Sequence, residues 1–227
     1  MSKELHPLQE KKLELEAQKL LIDIDIAQSE SVCGKLEIEA KEMELKERSH
    51  LYRAKAAHAD RHGRYAFFGS VTGSSVDECI GELQWWHRQN PELDFEIVLN
   101  SPGGDVLHGL ALFDDLIALK EQGHKITVTV RGMAASMGGI LLQAGTERVV
   151  GKNAHILIHE ISTGAVGKLS EIEDEAKFCE QLSKQLLDIL ADRSTMTAAQ
   201  IKRRWRKYDW WLTAEEAVEL GFADRIG

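Results

Sequence analysis

The chain has 227 residues, a formal net charge of −9 and a hydrophobic share of 43%, which allows one domain of ordinary size with its own core and an appendage besides. That acidic balance is the wrong sign for a general binder of nucleic acid or anionic membrane, because phosphate contact needs a concentrated basic surface. No apolar run reaches the roughly 18 residues of a membrane span, and Met1-Ser2-Lys3-Glu4-Leu5-His6 lacks the apolar core of a signal peptide.

Cys33, Cys79 and Cys179 are widely spaced and read as ordinary thiols of a reducing compartment, with no metal-ligand spacing. A cytoplasmic protein without metal or cofactor is the expectation. From about Pro7 to His62 the chain is highly charged, with Gly34 its only glycine. Leu13, Ala17, Leu20, Ile24 and Ala27 recur at alternating steps of four and three, the narrow stripe of a coiled-coil-like helix. Ser31-Val32-Cys33-Gly34 interrupts it, glycine being a common helix stop. A second, weaker stripe follows through Leu36, Ala40, Met43, Ala54 and Ala57. Residues 1–62 are expected to form a helical extension and 63–227 a separate domain.

Beyond Arg64 the pattern changes to short strands alternating with helices. Strands are predicted at Tyr65–Ser70, Phe95–Asn100, Lys125–Arg131, Glu147–Gly151 and His155–Glu160. Helices are predicted at Ser75–Gln89, Val106–Glu121, Met137–Ala144, Ser170–Asp192, Thr197–Arg206 and Ala214–Leu220. Alternating β and α elements imply an α/β fold, parallel strands with helices packed outside. The pattern alone leaves open an ordinary doubly wound sheet or a spiral of ββα units.

Three segments of this domain carry chemistry-bearing residues. After Phe95–Asn100 comes Ser101-Pro102-Gly103-Gly104-Asp105, where glycines leave backbone N–H groups open to a ligand's approach. After Ile126–Val130 comes Arg131-Gly132-Met133-Ala134-Ala135-Ser136-Met137-Gly138-Gly139, which puts one serine among small residues at a strand-to-helix turn. Unpaired N–H groups there favour the negative charge of a nucleophilic oxygen and of the oxyanion it creates. In His155-Ile156-Leu157-Ile158-His159, Ile156 and Ile158 share one strand face and both histidines the other. A histidine is the usual general base for a serine, and periodicity does not choose between His155 and His159. Further on, Arg203-Arg204-Trp205-Arg206-Lys207 reads as a small basic-aromatic cluster on a salt-bridging surface.

Together, Asn100-Ser101-Pro102-Gly103-Gly104, Ala134-Ala135-Ser136-Met137-Gly138, Ile158-His159, and Asp209 followed by Leu212-Thr213-Ala214-Glu215-Glu216-Ala217 and Gly221-Phe222-Ala223-Asp224 resemble the Clp protease proteolytic subunit (ClpP) family of serine peptidases. The likeness runs from about Arg64 to the C-terminus and does not cover the extension. It implies the ββα spiral that this family shares with crotonases, with a long handle helix from Lys168 that lines the substrate groove and joins two rings. It implies Ser136 as nucleophile, His159 as base, Asp209 as orienting acid, and the N–H groups of Gly104 and Met137 as oxyanion hole. Gly103, Ala135, Ser162, Thr163 and Gly164 are the substrate contacts it implies.

The implied partners are peptide or protein substrates, further copies of the chain in a ring or double ring, and an ATP-driven unfoldase for folded substrates. The chain departs from the family at Glu160-Ile161, where Gln-Pro is common, at the bulky pair Trp210-Trp211, and in its extension. The altered loop admits a catalytically silent scaffolding subunit as an alternative, and the non-standard extension admits a viral head-maturation type of protease. Acyl-CoA chemistry of the crotonase kind has no obvious catalytic carboxylates here.

Overall fold

The computed structural model describes residues 7–28, 41, 43, 46, 63–164, 166–206 and 208–227. The chain divides into two units, Met1–His62 and Gly63–Gly227. In the first, Pro7–Gln28 form helix α1. Leu15, Leu21 and Ile22 are exposed on it, while Ala17 and Leu20 of the expected stripe are half-buried. Apart from Met43, the second stripe lies outside the described residues, as does the break at Gly34.

The second unit runs β1 (Arg64–Phe68), α2 (Gly73–Gln89), β2 (Phe95–Ser101), α3 (Val106–Glu121), β3 (Ile126–Ala135), α4 (Met137–Gln143), β4 (Glu147–Val150), β5 (His155–Ile158), α5 (Leu169–Asp192), α6 (Ala198–Trp205), β6 (Trp210–Leu212), α7 (Ala214–Glu219) and β7 (Arg225–Ile226). Its strands form one mixed sheet ordered β1-β2-β3-β4-β7, with β5 pairing β3 and β6. All pairings are parallel except the antiparallel β5–β6 ladder. The α/β fold expected from the alternation is therefore present, with the long helix after the histidine strand as anticipated.

Local chemistry accounts for most of the boundaries. Thr72, Thr197 and Thr213 each cap a helix through a reciprocal box with the residue three on, as Ser, Thr and Gln or Glu pairs do. Asp105 caps α3 by accepting from the His108 N–H at 2.9 Å. In β2, Phe95, Ile97, Val98 and Leu99 are all buried, as expected of a parallel strand covered on both faces. Leu83 of α2 and Leu112, Leu116 and Leu119 of α3 are buried to within 1%, each contributing about 1.5–3 kcal/mol of transfer free energy.

Two features of the sheet position the site. β3 is ten residues long and pairs with two strands in succession, Thr127–Val130 with β4 and Met133–Ala135 with β5. Between these stretches its register against β2 jumps from Leu99↔Val130 to Ser101↔Ala134. Gly132, at φ 80°, accommodates the jump. The strand thus continues past Arg131, where the sequence pattern ends, and delivers Ser136 to the end of β5.

α5 is buried only toward its C-terminal end, at Leu186, Leu187 and Leu190. Leu169, Ile172 and Phe178 of its N-terminal part are exposed within the chain, so the apolar stripe divides between the core and the surface.

Candidate active site

Ser136 sits between β3 and α4 with φ 54° and ψ −121°. Among the described residues it is the one non-glycine with positive φ, a conformation costing of order 1–3 kcal/mol that persists only where the surroundings impose it. Those surroundings are visible. The Ser136 N–H donates to the Leu157 carbonyl at 2.9 Å, and the Ser136 carbonyl accepts from the Gly139 N–H at 2.9 Å. All seven residues of α4 are buried, and the Met137 side chain lies against Gly109 of α3, where an added Cβ would meet Met137 Sδ at 2.9 Å. The turn is held from three sides, by β5, by its own helix and by α3.

The Pro-Gly-Gly turn after β2 closes against it. Gly103, at φ 90°, is packed so tightly that a Cβ there would lie 2.6 Å from the Ser136 Cβ and 2.7 Å from the Ala135 carbonyl oxygen. Gly104 forms a parallel bridge with Val71. Its two bonds, Val71 N–H to Gly103 carbonyl at 2.8 Å and Asp105 N–H to Val71 carbonyl at 2.9 Å, use the groups on either side of Gly104. The Gly104 N–H is thereby directed away from Val71. A Cβ at Gly104 would collide with the Val71 carbonyl oxygen, so only glycine fits.

Ser136, His159, Gly104 and Met137 line one cavity of about 250 Å³. Ser162 lines it as well, while Thr163 and Gly164 are exposed outside it. Ala135, 3% exposed, and Gly103 are buried behind the serine rather than opening on the cavity. Apart from the carboxylate of Glu160, the remaining wall is mainly apolar, with Val106, Ile140, Ile158, Leu186, Leu190 and Trp205. His155, the other histidine of the strand, is exposed and outside the cavity.

Asp209 is placed by the antiparallel ladder. β5 and β6 pair as Ile156↔Leu212, Leu157↔Trp211 and Ile158↔Trp210, and both strands stop there; continuing the register one step past the last pair brings Asp209 across from His159. Asp209 is exposed and His159 half-buried. Among the described residues no side-chain hydrogen bond joins Ser136, His159 and Asp209, and catalytic hydrogen bonds are often long or poorly aligned until substrate binds. Close to the turn, the His108 backbone N–H holds the Asp105 carboxyl below the ordinary carboxylate range, with His108's ring adding to the effect.

Trp205 departs from its expected place in a surface cluster. It is 3% exposed and forms part of the cavity wall, whereas Arg203, Arg204 and Arg206 around it are exposed. Arg204 stacks over the Trp210 ring at 5.1 Å from its centroid. A usable signal lay in the four-residue spacing of Ile201 and Trp205, both buried on one face of α6.

An α/β fold that presents a strained serine and a histidine to one cavity suits a serine hydrolase, and comparison with known proteins makes the class a serine-type peptidase. The sequence model of the Clp protease family matches residues 60–227, and the chain belongs to that family. One relative, the ATP-dependent Clp protease proteolytic subunit 2 of Tropheryma whipplei (strain Twist), is 36% identical over 159 residues, which cover 69% of this chain and 86% of the relative.

Proposed function

We propose that the chain is an endopeptidase that cuts peptide bonds through an acyl-enzyme, inside a ring assembled from its own copies. Ser136 Oγ attacks the substrate carbonyl while His159 takes its proton. The oxygen that becomes negative is received by the N–H groups of Gly104 and Met137, and His159 returns the proton to the leaving amine. Water then attacks the acyl-enzyme with His159 again as base. Asp209 holds the imidazole in the tautomer and orientation this requires. Ser162 at the cavity mouth, with Gly103, Ala135, Thr163 and Gly164 shaping the flanking backbone, would set where the substrate chain lies.

The observation that carries this reading is the coincidence of the positive-φ turn at Ser136 with His159 in one cavity. The family adds the assembly. Residues 1–62 and 63–227 are read as extension and peptidase domain, and an ATP-driven unfoldase is the partner for folded substrates. The relative from Tropheryma whipplei carries ATP dependence in its name. The test is hydrolysis of a short fluorogenic peptide by the purified chain beside Ser136→Ala. Complete loss in the variant supports the reading; equal turnover by both refutes it.

A further inference from the structure

One heavily bonded side chain of the domain lies outside the cavity. Arg148, in β4, is buried, 6% exposed. The two hydrogens of its Nη1 are shared among Gln143 Oε1 at 2.7 Å, the Arg193 carbonyl at 2.6 Å and the Gly221 carbonyl at 2.8 Å. Its Nε and Nη2 grip the Asp224 carboxylate at 3.2 and 2.6 Å. Gln143, 1% exposed, donates in turn from Nε2 to the Gly139 and Phe222 carbonyls, each at 3.2 Å.

The positions of these partners are not arbitrary. Gln143 is the last residue of α4, the helix that begins at the Ser136 turn. Arg193 and Gly221 bracket residues 194–220, the segment that carries Trp205, Asp209 and β6. The Phe222 ring, beside the same anchor, meets Trp210 edge-on at 5.8 Å. One guanidinium therefore ties the far end of the nucleophile's helix to both ends of the segment that bears the acid. A planar fork with five donors can hold such a set in fixed geometry, which an ammonium cannot.

We propose that Arg148 and Gln143 are positioning residues for the reaction, setting the acid-bearing segment 194–220 against the helix that presents Ser136. This rests on the assignment of Asp209 as the orienting acid. The pair touches no substrate and acts only through the spacing of the two parts. A purely architectural role would lower stability without depending on Asp209; a positioning role is spent once Asp209 is gone.

A double-mutant cycle separates them. Gln143→Met keeps the volume and removes the amide link, and Arg148→Lys keeps the charge and removes the fork. In the wild-type background each lowers kcat on a fluorogenic peptide by about tenfold with KM little changed, since misplacement of about 1 Å costs up to a hundredfold. In the Asp209→Ala background Gln143→Met has no further effect, because groups that act as a unit are not additive. Circular dichroism and thermal melting establish that each variant is folded; if Arg148→Lys is not, the Gln143→Met cycle alone decides. An equal fractional loss in both backgrounds, a change in KM alone or an unchanged kcat in Gln143→Met overturns the proposal. The Asp209→Ala single variant tests the triad separately: an unchanged rate there refutes that assignment and leaves the size of the Gln143→Met effect measured on its own.

Discussion

Replacing Gly103 by alanine puts one methyl carbon between the Pro-Gly-Gly turn and the nucleophile. Its built position lies 2.6 Å from the Ser136 Cβ, 2.7 Å from the Ala135 carbonyl oxygen and 3.0 Å from the Met137 nitrogen, where ordinary contact begins at 3.4 Å. The serine must give way by about 0.8 Å, or the turn must, and none of the three atoms is the free end of a flexible chain. The backbone adds a second cost, because φ at Gly103 is 90°, a region that disfavours a Cβ by roughly 1–2 kcal/mol. With about 1–3 kcal/mol for overpacking, Gly103→Ala loses about 2–5 kcal/mol of stability. Because misplacement of about 1 Å costs up to a hundredfold in rate, kcat falls between roughly tenfold and a hundredfold. Steady-state hydrolysis of a fluorogenic peptide gives kcat and KM, and a thermal melt of the same sample gives the stability change. A folded Gly103→Ala protein with unchanged kcat refutes the claim that this turn braces the nucleophile.

Gly81 provides the opposite case. It lies inside α2 with nothing within 4 Å of an added Cβ, so Gly81→Ala raises stability by about 0.4–1 kcal/mol and leaves kcat alone; a lowered melting temperature contradicts this. Asp209→Ala lowers kcat/KM by at least about a hundredfold, and an unchanged rate discards Asp209 as orienter. Burial pulls the Asp224 carboxyl upward, but hydrogen bonds from the Arg148 side chain and backbone outweigh it, so its folded pKa lies below the ordinary value. A depressed folded pKa means that its contribution is fully present above the unfolded value of about 3.9 and is lost as pH falls through the folded one. Melting temperature therefore falls less steeply below about pH 4 in Asp224→Asn than in the wild type, Asp224 being partly exposed and its share correspondingly modest. Light scattering in dilute buffer gives a mass several times the 25.4 kDa of one chain if the ring forms; a stable monomer with full activity contradicts self-compartmentation.

Helix α3 could be read from sequence with its boundaries at Val106 and Glu121 because capping at Asp105 and an apolar face coincide there. The nucleophile turn was legible for a related reason: small residues flanking a serine between two apolar runs leave few alternatives. β6 was not. Trp210-Trp211-Leu212 shows no strand period, and the strand exists because β5 offers it a partner. The choice of His159 over His155 likewise needed the resemblance, since the two share a face and only tertiary placement puts His159 in the cavity. Trp205 was misplaced on the surface because charged neighbours outweighed its four-residue spacing from Ile201. Arg148 carried little local mark: Gln143 is five residues away, but its other partners Arg193, Gly221 and Asp224 lie 45, 73 and 76 residues away, beyond the reach of any periodicity.

A fluorophosphonate reacts far faster with a serine oxygen that a base has activated than with an ordinary hydroxyl. Incubating the chain with such a probe and mapping the adduct by peptide mass spectrometry addresses the central claim most directly. The account predicts a single adduct on Ser136, loss of peptide hydrolysis in proportion to labelling, and no adduct in Ser136→Ala. Hydrolysis that persists with Ser136 fully labelled, or an active protein whose adduct sits on another serine, contradicts it.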